Sequence, residues 1–375
     1  MKKSFLALLA VVAMASCTKS DLDERNVTGQ DEIKLKSEAL NINATSRAPY
    51  EGIIGPGNEL EALVVKSLVI NDYSPANGAN VTGIMKFVDN NDPAGNGTEV
   101  GFMTTPQYYP VDATQSVYLS GLYPTTGWGT FTTVSRFQFD GSQDVMASGQ
   151  VETKKSDVTT NLSTIGYKTL HFKHLLTKLV IKAIADPTYV TGETAAPGAA
   201  ALAAQDAWGK ITKIELYKVQ NTQSPNIQNR VTVTLATGAV DNFSTSGLSA
   251  DVVKIFEMTA NGVYGTSEFE SKTVTIPQDA RTDITQNTPK ATDIAYTMLA
   301  PIVPNNTNDF TFKVYTEKYT AGYEVPIGIT LPVGPYTNTA GLSYDITLTF
   351  KATEIKALAT VTDWVPGGEA GGTIE

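Results

Sequence analysis

Apolar and polar positions alternate with a period of two along most of this chain, the pattern of strands that bury one face. From Ser343 to Lys351, Tyr344, Ile346, Leu348 and Phe350 share one face, and Asp345, Thr347, Thr349 and Lys351 the other. Arg230 to Leu235 places Val231, Val233 and Leu235 inward, and Asp309 to Val314 repeats the alternation. Leu179 to Ala183 does the same, and Val64-Lys66-Leu68-Ile70 is a less polar version. One apolar face per strand predicts an all-β protein of sheets packed face to face, each with a wet outer surface.

Turn-rich segments divide these runs. Asp89 to Gly97 reads as a long polar loop. Asp186 to Ala204, small and rich in Ala, Gly and Pro, is the best candidate linker. It predicts two β-sandwich domains, residues 48–185 and 186–375. Amphipathic helices are few, and the Pro-Gln-Asp-Ala-Arg stretch near residue 280 makes at most a turn.

The first 47 residues follow another rule. Two lysines precede an apolar run from Phe5 to Ala15, about half the roughly 20 residues that a membrane-spanning helix needs. The stretch reads as a signal peptide over residues 1–16. Met14-Ala15-Ser16-Cys17 fits a bacterial lipobox, in which the Cys17 thiol is acylated and the chain is cut before it. Cys17 is the sole cysteine, so no disulfide forms within the chain. Residues 17–47 then read as a lipidated propeptide. Thr18 to Gln30 is a polar tether, and its Asp21 to Glu24 stretch reads as a solvated segment. Asp31 to Lys36 is a short strand with Ile33 and Leu35 on one face. Arg47 and Ala48 lie in a small, polar setting open to proteolysis. Arg25 is a competing basic site.

Charge narrows the partners. The chain carries a net −10; after Arg47, 21 basic residues face 32 acidic ones, or −11. No cluster of Lys and Arg forms a stripe, which argues against nucleic acid and anionic lipid surfaces. Chemistry-bearing motifs are absent: no nucleophile elbow, Walker loop or dinucleotide fingerprint occurs. His171 and His174 point to opposite faces of a strand, so structural roles are expected. No catalytic residue, cofactor or metal is assigned. Tyr108, Tyr109 and Trp128 could stack on sugars, or pack beneath a turn.

Several stretches together resemble the fimbrillins of Bacteroidales, the type V pilins. Phe172 to Val180 resembles the family's Phe-x-His-x-x-x-Lys-Leu strand at the end of its first domain. Asp144 to Ser148 resembles the loop before it, and Val117 to Pro124, ending Leu-Tyr-Pro, an earlier strand. Ala359 to Gly368 is similar to the closing Val-x-x-Trp strand. Cys17 and Arg47 match the family's processing order.

The resemblance implies two transthyretin-like sandwiches with Greek-key-type connections and a structural, non-enzymatic fimbrial subunit used in adhesion. It implies an outer-membrane lipoprotein precursor that ends in an extracellular fimbrium. A trypsin-like, Arg-specific protease would cut between Arg47 and Ala48 and free the strand holding Ile33 and Leu35. Another pilin subunit would then fill the groove with a donor strand, here Ile355, Ala357, Ala359, Val361 and Trp364. Alternatives are the last strand of its own domain for that segment, and for the chain a tip adhesin, an anchor subunit or a monomeric glycan-binding lipoprotein.

Overall fold

The computed structural model describes residues 32–33, 35–37, 42–43, 51–52, 60–74, 81–88, 100–103, 106–159, 168–188, 198–223, 227–245, 253–258, 263–280 and 289–363. The expected signal peptide, Cys17, Arg47, Ala48, the Asp89–Gly97 loop and Trp364 lie outside them.

The first strands are β1 (Leu35–Ser37), β2 (Ile42–Asn43), β3 (Glu51–Gly52) and β4 (Leu60–Ser67). They are followed by β5 (Val81–Val88), β6 (Val100–Met103), β7 (Val117–Tyr123) and β8 (Val134–Gln138). Next come β9 (Met146–Ser148), β10 (Val151–Thr153), helix α1 (Lys155–Thr159), β11 (Thr169–Leu170) and β12 (Phe172–His174). β13 (Thr177–Ala185) precedes helix α2 (Ala199–Trp208), then β14 (Lys210–Val219), β15 (Thr222–Gln223), β16 (Arg230–Thr234) and β17 (Ala239–Ser244). β18 (Phe256–Met258), β19 (Tyr264–Glu268), β20 (Val274–Thr275) and β21 (Thr292–Leu299) come next. The last are β22 (Phe310–Thr316), β23 (Tyr323–Ile327), β24 (Leu342–Phe350) and β25 (Ile355–Asp363).

The protein is all-β in architecture. A nine-stranded sheet runs β11-β1-β6-β5-β4-β7-β9-β12, with β10 on β7. Its two end strands, β11 and β12, are separated in sequence only by His171. Leu170 and Phe172 therefore lie within about 7 Å of one another, so the sheet curls until its ends meet. Gly121 in β7 permits that closure: a Cβ there would sit 2.5 Å from the Phe172 ring and 3.1 Å from Leu170.

A six-stranded sheet (β19-β18-β21-β13-β24-β25) and a five-stranded sheet (β15-β14-β22-β23, with β20 on β14) form the second half. The strongest alternations hold. Tyr344, Ile346, Leu348 and Phe350 are fully buried, as are Val231, Val233, Phe310, Phe312 and Val314. β13 differs because it is central: Leu179 and Ile181 face the main core, while Val180 is covered by Phe256, Met258 and Tyr296. Of its two lysines, Lys178 donates to the Tyr264 hydroxyl at 3.2 Å, and Lys182 pairs with Asp293 at 3.3 Å and Asp345 at 2.7 Å.

Four expectations change. β4 stops at Ser67, whose hydroxyl accepts from Val69 N at 3.0 Å and starts a turn; Ile70 is 56% exposed. Asp144 to Ser148 is not wholly a loop, since Met146–Ser148 pairs with both β7 and β12. Phe172 to Val180 is two strands, and the chain changes sheet between His174 and Thr177. The end of the Ala-rich stretch is helical, because alanine is the best helix former and Ala201, Ala204 and Trp208 make one buried face.

The two halves share a core. Val65, Tyr73, Leu122 and Phe137 belong to the same buried cluster as Ile181, Val231, Leu299 and Ile346. β8 of the first half also pairs residue for residue with β16 of the second, from Arg230↔Gln138 to Thr234↔Val134. Unfolding in urea should therefore show coincident tryptophan-fluorescence and far-UV circular-dichroism transitions. Phe312→Ala should lower the stability of that single unit by about 3–5 kcal/mol. Two separated transitions would contradict the shared core.

Candidate strand-exchange site

β1 is three residues long, yet it is an interior strand. It lies antiparallel to β6, with Leu35 opposite Gly101 and Lys36 opposite Val100. On its other side it runs parallel to β11, with Lys36 opposite Thr169 and Ser37 opposite Leu170. The backbone just before it is also held: Ile33 N donates to Gln107 O at 2.7 Å, and Glu32 bridges to Tyr108. β1 thus fills a slot lined by backbone on both sides, and Glu32 and Ile33 are tied to the 107–108 backbone.

Ile33 and Leu35 both have 0% exposure, and they share a cluster with Val64, Leu119, Leu170 and Phe172. Full burial of two such side chains is worth about 3–6 kcal/mol. Tyr109 closes the cluster, with its hydroxyl 2.9 Å from Thr153 Oγ1. Lys66 borders the slot: its ammonium donates to Gln107 Oε1 and Tyr108 O, each at 3.4 Å. Burial lowers its pKa. Glu32 Oε1 is buried without a hydrogen-bond partner among the described residues. The period-two pattern marked Ile33 and Leu35, but no local signal pointed to β6, β11, Gln107 or Lys66 as the walls of their slot.

The other end of the chain forms β25, an edge strand paired along its whole length with β24, from Leu342↔Asp363 to Phe350↔Ile355. Ile355 is buried, and Ala357, Ala359 and Val361 pack partly buried against the main core. Leu358 points away and is 68% exposed. In this monomer the segment is therefore the last strand of its own sheet. Its inward face is small: two of four side chains are alanines.

His174 Nδ1 lies 2.8 Å from Asp144 Oδ2, whose side chain is fully buried. Burial, with the nearby Asp144 carboxylate second, pushes the Tyr123 hydroxyl pKa up. No group of three or more His, Cys, Asp or Glu is placed to hold a metal among the described residues. Tyr109 faces the core, and Trp128 donates to Pro124 O at 2.9 Å and packs 5.2 Å from Phe137. Tyr109 is thus part of the core, and Trp128 is half-buried against Phe137.

No family model matches the chain, and no curated protein does. Solved structures are similar at low identity. A candidate cell adhesion protein from Bacteroides uniformis is 16% identical, with a TM-score of 0.47 over 90% of this chain and 99% of that one. A fimbrial protein from Bacteroides vulgatus is 11% identical, with a TM-score of 0.36 over 82% and 93%. The C-terminally truncated tip fimbrial protein from Porphyromonas gingivalis is 11% identical, with a TM-score of 0.32 over 89% and 100%. The likeness is to fimbrial and cell-adhesion proteins. With TM-scores below 0.5, it carries no functional weight of its own.

Leu35→Ala should destabilise the uncut protein by about 2–5 kcal/mol in urea unfolding. Leu358→Ala, at an exposed position, should stay within about 0.5 kcal/mol. Equal effects at the two positions would contradict the placement of β1.

Proposed function

We propose that this chain is a subunit of a surface fimbrium, polymerising when a protease removes β1 and a second copy supplies the missing strand. The observation that carries the reading is the position of β1. A short segment near the N-terminus contributes two fully buried side chains to the interior of a closed sheet. It is followed after ten residues by Arg47.

In this reading Cys17 is acylated and tethers the precursor at the outer membrane while Ile33 and Leu35 occupy their slot. An Arg-specific, trypsin-like protease cuts between Arg47 and Ala48, and the segment leaves with its lipid. β6 and β11 then lose their common neighbour, and an apolar groove with unpaired N–H and C=O groups faces water. A strand from another subunit repairs both defects by β-strand addition. Each backbone hydrogen bond regained contributes about 0.5–1.5 kcal/mol net. Groove and donor are different surfaces, so the contact is head-to-tail and propagates as a filament. The donor segment is β25, with Trp364 beyond it. No helix among the described residues is long and apolar enough to cross a membrane.

Arg47→Ala should leave a lipidated, monomeric, membrane-bound protein, whereas wild-type surface fibres should begin at Ala48 on N-terminal sequencing. Fibres that retain acylated Cys17 would sink the release step.

A further inference from the structure

After Arg47 the chain keeps 21 basic residues, of which only Arg136, Arg230 and Arg281 are arginines. Arg281 lies outside the described residues. The other two are far apart in sequence and meet in the fold. Arg136 is on β8 and Arg230 on β16, and the residues that follow them, Phe137 and Val231, are opposite one another in the ladder. The Arg136–Phe137 and Arg230–Val231 peptide bonds therefore lie side by side, in the seam that joins the two halves. We propose that these bonds are two further cleavage sites for an Arg-specific protease, closed in a docked subunit and opened when the seam fails to form. The proposal rests on the maturation reading above and adds a control to it. The enzyme that releases a well-folded subunit destroys one whose halves have not joined.

An endoprotease takes its substrate as an extended strand that pairs with the enzyme's own backbone. Neither bond is free to do so here. Arg136 pairs with Thr232 on one side, and on the other its carbonyl accepts from Gly129 N at 2.8 Å. Phe137 bridges to Trp128 on that second side and is buried. Arg230 is flanked by Gln138 and Ser244, and the fully buried Val231 by Phe137 and Phe243. Both ends of the ladder are fastened: Phe139 N donates to Asn229 O at 2.9 Å, and Leu235 N to Thr133 O at 3.0 Å. The Arg136 side chain itself is exposed. The seam thus hides the peptide bond and leaves the guanidinium in view.

The gate is the docking of the halves. β8 belongs to the first half and β16 to the second, and Phe137 and Val231 both lie in the shared core. A chain whose halves have not docked buries neither side chain, and each strand lacks its partner. Where opening and closing are fast relative to cutting, the rate of cutting follows the population of the open form. Cuts at both bonds leave pieces 48–136, 137–230 and 231–375, none of which holds the whole core. The other basic residues after Arg47 are lysines, which an Arg-specific enzyme passes over.

Digestion of the full chain with a purified Arg-specific endoprotease, read by intact mass spectrometry, tests the gate. Every sample carries Arg281→Lys, so that only the two seam arginines report. The folded parent should be cut after Arg47 about a hundredfold faster than after Arg136 or Arg230. Val233→Ala removes fully buried packing from the middle of β16 and should speed both seam cuts about tenfold. The same two cuts should appear in the parent as urea approaches its unfolding midpoint. Adding Arg136→Lys and Arg230→Lys to Val233→Ala should restore the full-length 48–375 product while the urea midpoint stays lowered. Seam cuts in the folded parent as fast as the cut after Arg47 would overturn the proposal. So would a parent that stays intact at both bonds at its urea midpoint. If the folded parent is not cut after Arg47, the maturation reading fails, while the seam's protection is still read from the pieces ending at 136 and 230.

Discussion

Backbone hydrogen bonding inside a closed sheet is the constraint on which the rest depends. The first-half sheet curls until β11 and β12 are joined through one residue, and β1 occupies the place between β11 and β6. A strand that leaves an edge opens the edge of one neighbour. A strand in this position leaves two facing edges and an apolar slot that had held Ile33 and Leu35. Water satisfies the exposed backbone but not the slot, so the vacated state favours any chain that supplies both hydrogen bonds and apolar side chains.

The second half provides a stable base for such an exchange. Its core runs without interruption into the first half, and β8 pairs with β16 across the sequence division. Asp140 O accepts from Lys254 N, and Gly141 O accepts from Met298 N at 2.8 Å, adding backbone ties beside the shared core. Tension along a filament would therefore be carried through continuous packing and strand ladders between the two halves. Loss of β25 from the edge of the six-stranded sheet uncovers β24, whose Tyr344, Ile346, Leu348 and Phe350 remain anchored in the main core.

Much of this was legible as period-two alternation. β16, β22 and β24 were readable because each presents one apolar and one polar face, and Ile33 and Leu35 stood out for the same reason. β13 was only half readable: a central strand with Val180 covered by Phe256 and Tyr296 loses the polar face that periodicity needs. Helix α2 was hidden in an Ala- and Gly-rich stretch whose composition also suits a linker. Least legible were the walls of the slot. Gly101, Gln107, Thr169 and Leu170 lie about 65 to 135 residues from β1, and non-local pairing leaves no local pattern in a single sequence.

The central claim is that β1 alone keeps two interior edges closed until it is cut away. Hydrogen–deuterium exchange read by mass spectrometry, before and after cleavage following Arg47, tests it most directly. The peptides that cover Val100–Met103 and Thr169–Leu170 should be protected in the uncut monomer, exchange rapidly in the cut monomer, and regain protection in the filament. Unchanged protection of both peptides in a cut monomer that has shed residues 1–47 would contradict it.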